Sequence, residues 1–308
     1  MANDLSTNSS AAQPKWPSEP TARTRGSNAL QVQSHYDLSN EFFALWQDAN
    51  QVYSCAYFER DDMTLDEAQL AKIDLSLGKL GLRPGMTLLD IGCGWGAAMM
   101  RAIEMYDVNV IGLTLSHNQK THIEQLFAGT QGPNRMEVRL SSWEQFDEPV
   151  DRIVSIGAFE HFGFAKYQDF FQKTYKLMPD DGVVLLHSIV APTTDEYRER
   201  QLQITMSRLR FVKFILDEIF PGGRLPLVAQ VEEQATHAGF QVTRVQRLRL
   251  HYARTLDTWA TNLESQRDQA ISVTSLEVYD RYLRYLTGCA DLFHEGFTDV
   301  CQFTCKKG

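Results

Sequence analysis

Short apolar runs and amphipathic runs alternate along the middle of the chain. The apolar runs are rich in residues that favour β-strands, and they lie at 87–91, 108–113, 136–140, 153–156 and 183–188. The segments between them are predicted to be helices. Strands that alternate with helices in this way predict a doubly wound, mostly parallel sheet. Two later runs, 241–248 and 300–306, predict strands that extend it to a seven-stranded α/β sheet.

Helical patterning flanks the predicted sheet on its N-terminal side. Residues 31–80 are predicted to be mainly helical, with an amphipathic run over 37–46 and a second helix over 63–80. Thr64, followed three residues later by Glu67, has the spacing of a capping box at the start of that second helix. This side of the domain is therefore expected to consist of helices that precede the first strand.

A long apolar segment follows the fifth predicted strand. Residues 192–230 are predicted to be mainly helical and are broken at 221–223 by Pro-Gly-Gly. They carry more apolar residues than one amphipathic face needs. The segment is either a helix buried on all sides or a lid over an apolar ligand. Further helices are predicted over 255–268 and 275–294.

Composition sets the outer limits of function. The chain has 308 residues, of which 43% are hydrophobic, and its net charge of −9 argues against a general nucleic-acid binder. The five cysteines are scattered without metal-ligand spacing, so we expect no metal and a reduced, cytoplasmic setting. Residues 1–30 are predicted to be a disordered tail that precedes a single domain over 31–308. No stretch approaches the roughly 18 apolar residues of a membrane span.

The first predicted strand opens directly into a glycine-rich turn. Asp90 ends the apolar run, and Gly92, Gly94 and Gly96 follow at every second position before a helix-like run. A backbone that turns sharply and lies against a ligand leaves no room for a Cβ. The spacing is typical of S-adenosylmethionine-dependent methyltransferases, although glycine turns also occur in ordinary α/β cores.

Polar residues follow the second and third predicted strands. No acidic residue ends the second strand, where many nucleotide-binding folds place one for the ribose, so Thr114, Ser116 and Gln119 are candidate polar contacts. Their alternative role is to cap the next helix. Trp143 and Glu144 follow the third strand and could contact an adenine. Trp143 could equally be an aromatic residue that fills the edge of the sheet.

Two ionisable residues lie at the ends of neighbouring strands. Glu160 follows the fourth strand and His187 ends the fifth, and the carboxyl ends of parallel strands face the ligand crevice. Glu160 could be only an acid at a helix N-terminus, and a lone strand histidine is often a satisfied core group. Their occurrence at adjacent strand ends favours a functional site.

The chain resembles the mycobacterial cyclopropane mycolic acid synthases and mycolic acid methyltransferases, which are related to cyclopropane fatty acid synthases. The resemblance covers nearly everything from about residue 31 and is carried by residues 53–58, 88–96, 107–115, 147–156, 158–162, 218–226 and 285–289. It implies a class I methyltransferase, Rossmann-like fold that binds S-adenosylmethionine. The glycine motif and the resemblance together predict cofactor contacts at Tyr53, Ser54, Asp90, Gly92, Gly94, Gly96, Thr114, Leu115, Ser116, Gln119, Trp143 and Glu144.

The resemblance also implies the chemistry. The substrate would be a long acyl chain with a cis double bond, presented on an acyl carrier protein and enclosed by the 192–230 lid, with possible peripheral membrane contact. Aromatic residues would shield a carbocation on that chain, and bound bicarbonate would be the base. The implied cation site is Tyr36, Phe220 and Tyr285, and the implied catalytic and bicarbonate residues are Cys55, Ile156, Glu160, His187 and Tyr252. Cys289 matches a cysteine often marked as catalytic, but it could equally be a small packed residue.

Three products share this chemistry, namely a cyclopropane, a methyl-branched alkene and a methyl-branched alcohol. Hydroxylating relatives tend to carry Glu at the position of Gly157 and to lack the equivalent of His187, so the resemblance favours a cyclopropane. A catalytically silent lipid- or cofactor-binding relative is the alternative of another class. Basic residues near the lid could dock an acidic carrier protein or form a solvated basic face, and they are Arg208, Arg210, Lys213 and Arg224.

Overall fold

A single seven-stranded sheet organises the protein. The computed structural model describes residues 40–220 and 223–308. Its strands are β1 (Thr87–Ile91), β2 (Asn109–Thr114), β3 (Met136–Leu140), β4 (Arg152–Ile156), β5 (Val183–Val190), β6 (Phe240–Arg247) and β7 (Asp299–Lys307). Their order is β3-β2-β1-β4-β5-β7-β6, and β7 alone among them runs antiparallel to its neighbours. The predicted seven-stranded α/β sheet is confirmed.

Helices cover both faces of the sheet. They are α1 (Asn40–Ala44), α2 (Leu65–Leu77), α3 (Ala97–Tyr106), α4 (His117–Ala128), α5 (Tyr167–Leu177), α6 (Thr194–Glu199), α7 (Met206–Phe214), α8 (Val228–His237), α9 (Arg249–Ser265), α10 (Arg267–Val273) and α11 (Leu276–Glu295). Along β1, Leu88 packs in one hydrophobic core and its neighbour Leu89 in the core on the opposite face. Because side chains alternate along a strand, this shows a sheet buried on both faces.

The N-terminal side is less helical than its patterning suggests. α1 ends at Ala44, and residues 45–64 form turns and loops rather than a helix. The apolar residues of this stretch pack instead into an aromatic cluster in which Trp46 lies edge-on to Trp259 of α9. α2 begins where expected, since Thr64 and Glu67 form a full capping box. The predicted tail, 1–30, lies outside the described residues.

The segment between β5 and β6 holds α6, α7 and α8, and one π-helical turn at Ile215–Ile219 continues α7. On α7, Met206 is 67% exposed and Leu209 is 50% exposed. A helix buried on all sides is therefore wrong for this segment. Within the described residues, no helix combines the length and the apolar character that a bilayer span requires.

Candidate active site

A cavity of about 660 Å³ opens at the carboxyl ends of the central parallel strands. Every residue predicted to contact the cofactor lines it, with the exception of Gly96. The lining comes from the loop before α2 and from the turns that follow β1, β2, β3 and β4. Carboxyl ends of adjacent parallel strands meet at one edge of the sheet, which explains why positions distant in sequence converge here. We call it the cofactor cavity.

The glycines of the turn after β1 have different tasks. Gly92 has a φ of +81°, and a Cβ there would lie 2.6 Å from the Cβ of Ala158, so no larger residue fits. Gly94 has open space around its Cβ position and faces the cavity. Gly96 lies outside the cavity lining and forms the N-terminal cap of α3, where it packs against Ile123. A glycine is therefore required at position 96 by the tight start of α3 and not by contact with a ligand.

The polar residues after β2 both line the cavity and cap a helix. Ser116 is the N-cap of α4, and its hydroxyl accepts a hydrogen bond from the amide of Gln119. The hydroxyl of Thr114 donates to the Gln119 side-chain oxygen at 2.6 Å. The two roles weighed for these residues therefore coexist, because capping holds the side chains at the cavity wall.

Trp143 and Glu144 belong to one short 3-10 turn and differ in exposure. Trp143 is buried and meets Phe170 edge-on, with ring centroids 5.4 Å apart. Glu144 is exposed, and its carboxylate pairs with Lys166 at 2.8 Å. Both residues line the cavity. Trp143 therefore combines core packing with a place in the cavity wall, while Glu144 supplies a hydrogen-bond acceptor at the rim.

Lys72 of α2 also lines the cavity and was not predicted from the sequence. It is buried, and its ammonium donates to the hydroxyl of Ser54 at 2.8 Å. Burial lowers the pKa of Lys72 to about 8, although Asp48, Cys55 and Asp90 oppose that shift. Burial likewise raises the pKa of Asp90 to about 7. Helical periodicity carried a signal, because Lys72 lies on the buried stripe of α2 between Ala68 and Ser76.

Glu160 and His187 lie next to residues that line this cavity, and we call this predicted pair the Glu160–His187 site. Ile156 lines the cavity and pairs in register with His187 on β5. The carboxyl oxygen Oε1 of Glu160 accepts from the amide of Ile189, whereas its Oε2 is buried and has no partner among the described residues. The Nε2 atom of His187 is equally buried and without a partner there. Two orphaned polar atoms of this kind require a ligand or water.

Burial in the Glu160–His187 site shifts the titration of both side chains towards their neutral forms. Burial raises the pKa of Glu160 to about 7, against the opposing effect of the hydrogen bond from the Ile189 amide. Burial, with Lys72 and Lys79 nearby, holds the pKa of His187 well below its ordinary value. A neutral imidazole and a carboxyl that titrates near neutrality can both donate hydrogen bonds.

Tyr252 of α9 brings the remaining predicted catalytic residues together. Its pKa is raised well above the ordinary value by burial and then by Tyr285, Cys55, Cys289 and Glu160. These groups therefore lie close enough to its hydroxyl to act on it electrostatically. Cys55 is fully buried, and burial also raises its pKa. The same cause raises the pKa of Cys289 to about 12, so it is a neutral thiol rather than a nucleophilic thiolate.

The predicted cation site is partly described. Phe220 and Tyr285 meet edge-on, with ring centroids 5.7 Å apart. The ring of His161, which also lines the cofactor cavity, lies 5.7 Å from Phe220. His161, which directly follows Glu160 in the sequence, therefore connects the cofactor cavity with the predicted cation site. Tyr36 lies outside the described residues. Among those that are described, no cluster of three or more His, Cys, Asp or Glu side chains could hold a metal ion.

The sheet, with its single antiparallel strand, and the glycine turn at the cavity define a class I S-adenosylmethionine-dependent methyltransferase. A family model described as Mycolic acid cyclopropane synthetase matches residues 23–303. The chain therefore belongs to the mycolic acid cyclopropane synthetase family, and the resemblance seen in its sequence is confirmed.

Characterised relatives agree over nearly the whole chain. Cyclopropane mycolic acid synthase 3 of Mycobacterium tuberculosis is 63% identical over 276 residues, which cover 90% of this chain and 96% of the relative. The structure of the cyclopropane synthase MmaA2 from Mycobacterium tuberculosis has a TM-score of 0.90 and 57% identity, and covers 92% of this chain and 99% of that one. Mycolic acid cyclopropane synthase CmaA1, complexed with SAH and CTAB, has a TM-score of 0.88 at 60% identity, with coverage of 92% and 99%.

Proposed function

We propose that this enzyme transfers a methylene group from S-adenosylmethionine to a cis double bond of a long acyl chain and forms a cyclopropane. The observation that carries the proposal is the Glu160–His187 site, with two buried polar atoms that lack partners, beside a methyltransferase cofactor cavity. A simple methyltransferase needs no second polar site at this place, whereas ring closure requires removal of a proton.

The cofactor cavity fits S-adenosylmethionine by size and chemistry. It offers a flat aromatic face at Trp143, an acceptor at Glu144 and glycine backbone at Gly92 and Gly94. CmaA1, which is similar to this chain, was solved with SAH. We assign the predicted cofactor-binding residues to this role, with Gly96 as a positioning residue and Lys72 as an addition.

The Glu160–His187 site fits bicarbonate. Neutral His187 and protonated Glu160 can each direct a hydrogen-bond donor at an anionic oxygen, which satisfies both orphaned atoms. Cys55, Ile156 and Tyr252 complete the proposed wall. When bound, S-adenosylmethionine supplies the one-carbon unit and bicarbonate accepts the proton.

The residues around the acyl chain protect its positive charge. Phe220 and Tyr285 present aromatic rings that stabilise a cation by about 0.5–2 kcal/mol each when water is excluded. Exclusion of water also prevents formation of an alcohol. Gly157, Glu160 and His187 are all present, and this combination favours the cyclopropane over the methyl-branched alkene or alcohol.

We assign residues 192–230 as a lid over the acyl chain. Phe211 of α7 packs against Gly288 of α11, where an added Cβ would lie 2.2 Å from its ring. This contact holds α7 over the helix that carries Tyr285. CmaA1, a relative of the same family, was solved in complex with CTAB. The tail at 1–30 and the single domain over 31–308 remain parts of the proposal.

An acyl carrier protein is the proposed carrier of the chain. The outer face of α7 exposes Met206, Leu209 and Val212 next to Arg210, a face suited to a partner with acidic and apolar residues. Two of the basic residues considered for this role are already paired, Arg208 with Glu295 and Lys213 with Asp217. The five unpaired cysteines support a reducing, cytoplasmic setting.

Replacement of Leu209 by Glu tests the docking surface. We expect weaker pull-down of an acylated carrier protein and unchanged affinity for S-adenosylmethionine. Leu250→Glu alters another exposed leucine and serves as the control. Loss of binding to anionic lipid vesicles, with carrier binding intact, would instead identify a membrane surface and overturn the carrier proposal.

Product analysis tests the reaction. The pure enzyme is incubated with methyl-labelled S-adenosylmethionine and a cis-unsaturated acyl carrier substrate, and the lipid is examined by mass spectrometry and proton NMR. Upfield ring-methylene signals with loss of vinyl protons are expected. A methyl-branched alkene or alcohol would overturn the choice of product, and absence of transfer would favour a silent lipid- or cofactor-binding relative.

A further inference from the structure

We infer that Gln302 and Lys79 are positioning residues that fix the tautomer of His187, so that its Nε2 carries a hydrogen and points it into the Glu160–His187 site. The inference deepens the proposed function and rests on it for the identity of the ligand. Four side chains carry it and are joined by hydrogen bonds, namely those of Lys79, Ser76, Gln302 and His187.

The backbone sets these residues side by side. His187 on β5 pairs in register with Gln302 on β7, and Gln302 pairs with Gln246 on β6. Lys79 follows the end of α2 and lies above this row. All three strand positions project to the same face of the sheet, because directly opposed residues in neighbouring strands share a face.

Lys79 determines which way the Gln302 amide faces. An ammonium group has donors and no acceptor, and it contacts the oxygen Oε1 of Gln302. Burial lowers the pKa of Lys79 to about 8, so the group still carries its charge at neutral pH. If the Gln302 amide were reversed, its NH₂ group would face the Lys79 ammonium, and both groups have only donors. Lys79 also donates to the side-chain oxygen of Gln246 at 2.7 Å.

Ser76 supports the same orientation independently. Its hydroxyl donates its one hydrogen to the carbonyl of Lys72 at 2.7 Å. The Ser76 oxygen can therefore only accept from Gln302, whose Nε2 lies 3.0 Å away. Both neighbours of the amide thus require its nitrogen to face inward.

The consequence falls on His187. Nε2 of Gln302 lies 3.2 Å from Nδ1 of His187 and carries the hydrogen of that contact. Nδ1 must then be the bare, accepting nitrogen, which leaves the ring hydrogen of the neutral imidazole on Nε2. That atom is buried and unpartnered within the described residues. A donor held in this way recognises an acceptor, which is what an anionic oxygen provides.

Nitrogen-15 NMR of histidine-labelled full-length protein tests the inference without substrate or turnover. The chain has 8 histidines, and a His187→Gln variant assigns the relevant ring signals. In the wild type at neutral pH we expect a bare Nδ1 and a protonated Nε2. A wild-type spectrum with the hydrogen on Nδ1 would overturn the inference outright, with no need of a variant.

Two matched variants test whether direct contact with the Gln302 amide sets the tautomer of His187. In Gln302→Glu the new carboxylate can only accept, so Nδ1 is expected to gain a hydrogen. Gln246→Glu adds the same charge beside Lys79 but does not touch His187, and Nδ1 should stay bare. Protonation of Nδ1 in both variants, or in neither, would contradict the positioning role. Thermal unfolding of each variant establishes that it is folded.

The outcome is separable from that of the proposed function. Loss of cyclopropane product with the expected ring-nitrogen pattern would refute the reaction and leave the tautomer assignment standing. Formation of the cyclopropane by an enzyme whose His187 carries its hydrogen on Nδ1 would refute the positioning role of Gln302 and Lys79. It would leave the proposed reaction standing.

Discussion

Lys72 donates a hydrogen bond to Ser54 at 2.8 Å, and both residues line the cofactor cavity. The next residue along the chain, Cys55, belongs to the wall around Tyr252. One buried ammonium therefore anchors the short segment that separates the cofactor cavity from the proposed acyl site. Its charge also lies near Asp48 and Asp90, two carboxyls whose pKa values burial raises.

Replacement of Lys72 by Met should destabilise the protein and weaken cofactor binding. Removal of one partner from a buried charged group typically costs about 3–5 kcal/mol. Ser54 would also lose the donor that orients its hydroxyl, so we expect S-adenosylmethionine affinity to fall about tenfold. Urea unfolding and calorimetry measure the two effects. Lys120→Met removes a partly exposed lysine that pairs with Glu124 and should cost less than about 1 kcal/mol. Equal effects of the two changes would show that the buried ammonium of Lys72 contributes nothing to the free energy of unfolding or to cofactor affinity.

Glu160→Gln should separate turnover from cofactor binding. The amide keeps the shape of the side chain but removes an ionisable group at the proton-accepting site, so we expect turnover to fall at least about 100-fold. Affinity for S-adenosylmethionine should be unchanged, because Glu160 is absent from the cofactor-cavity lining. Glu144→Gln, at the cavity rim, should show the opposite pattern, with weaker binding and smaller loss of turnover. Unchanged turnover in Glu160→Gln would remove Glu160 from the mechanism.

The raised pKa of Glu160 predicts how stability depends on pH. A carboxyl whose pKa rises from 4.5 to about 7 on folding binds its proton more tightly in the folded state. Its contribution is therefore complete below pH 4.5 and is lost as pH rises to 7. The free energy of unfolding of Glu160→Gln should gain on the wild type by about 3 kcal/mol across this window. Urea titrations from pH 4.5 to 7.5 measure it, and a constant difference would contradict the assigned shift.

Cys289→Ala should retain most activity. The thiol has a pKa of about 12 and is neutral at working pH, so its loss removes no nucleophile. Gly288→Ala, at the adjacent position, should be worse, because its Cβ would press on Phe211 and displace α7. Steady-state rates with acyl substrate compare the two. A Cys289→Ala enzyme without activity but with normal unfolding would restore the thiol to the catalytic set.

The pattern of apolar and polar residues predicted the helices and strands that the local sequence determines. The strands β1, β2, β4 and β5 have mainly apolar runs that are buried on both sheet faces, whereas the edge strand β3 is only partly buried. Thr64 with Glu67 marks the start of α2 to the residue. α9 begins at Arg249, whereas the sequence predicted a start near 255. The true start was not predictable because no side-chain cap marks it. Residues 45–64 have helical spacing, but their aromatic rings gain more by packing against α9 and α11 than by continuing α1.

The site was predictable where motifs follow strands, and less so where tertiary contacts decide. Glycines and polar residues after β1 and β2 indicated the cofactor cavity directly. No motif marked Lys72 or Gln302, because lysine on a helix is usually exposed and glutamine in a strand is chemically unremarkable. The strand register sets Gln302 beside His187, and the packing of α2 sets Lys72 beside Ser54.

The dependence of turnover on bicarbonate tests the central claim most directly. Wild-type enzyme is assayed with saturating S-adenosylmethionine and acyl substrate in carbon-dioxide-free buffer, and bicarbonate is then added back. We expect little cyclopropane without bicarbonate and saturable recovery with it, with a much higher requirement in His187→Ala. Full wild-type activity in the depleted buffer would contradict the assignment of the Glu160–His187 site to a proton-accepting anion.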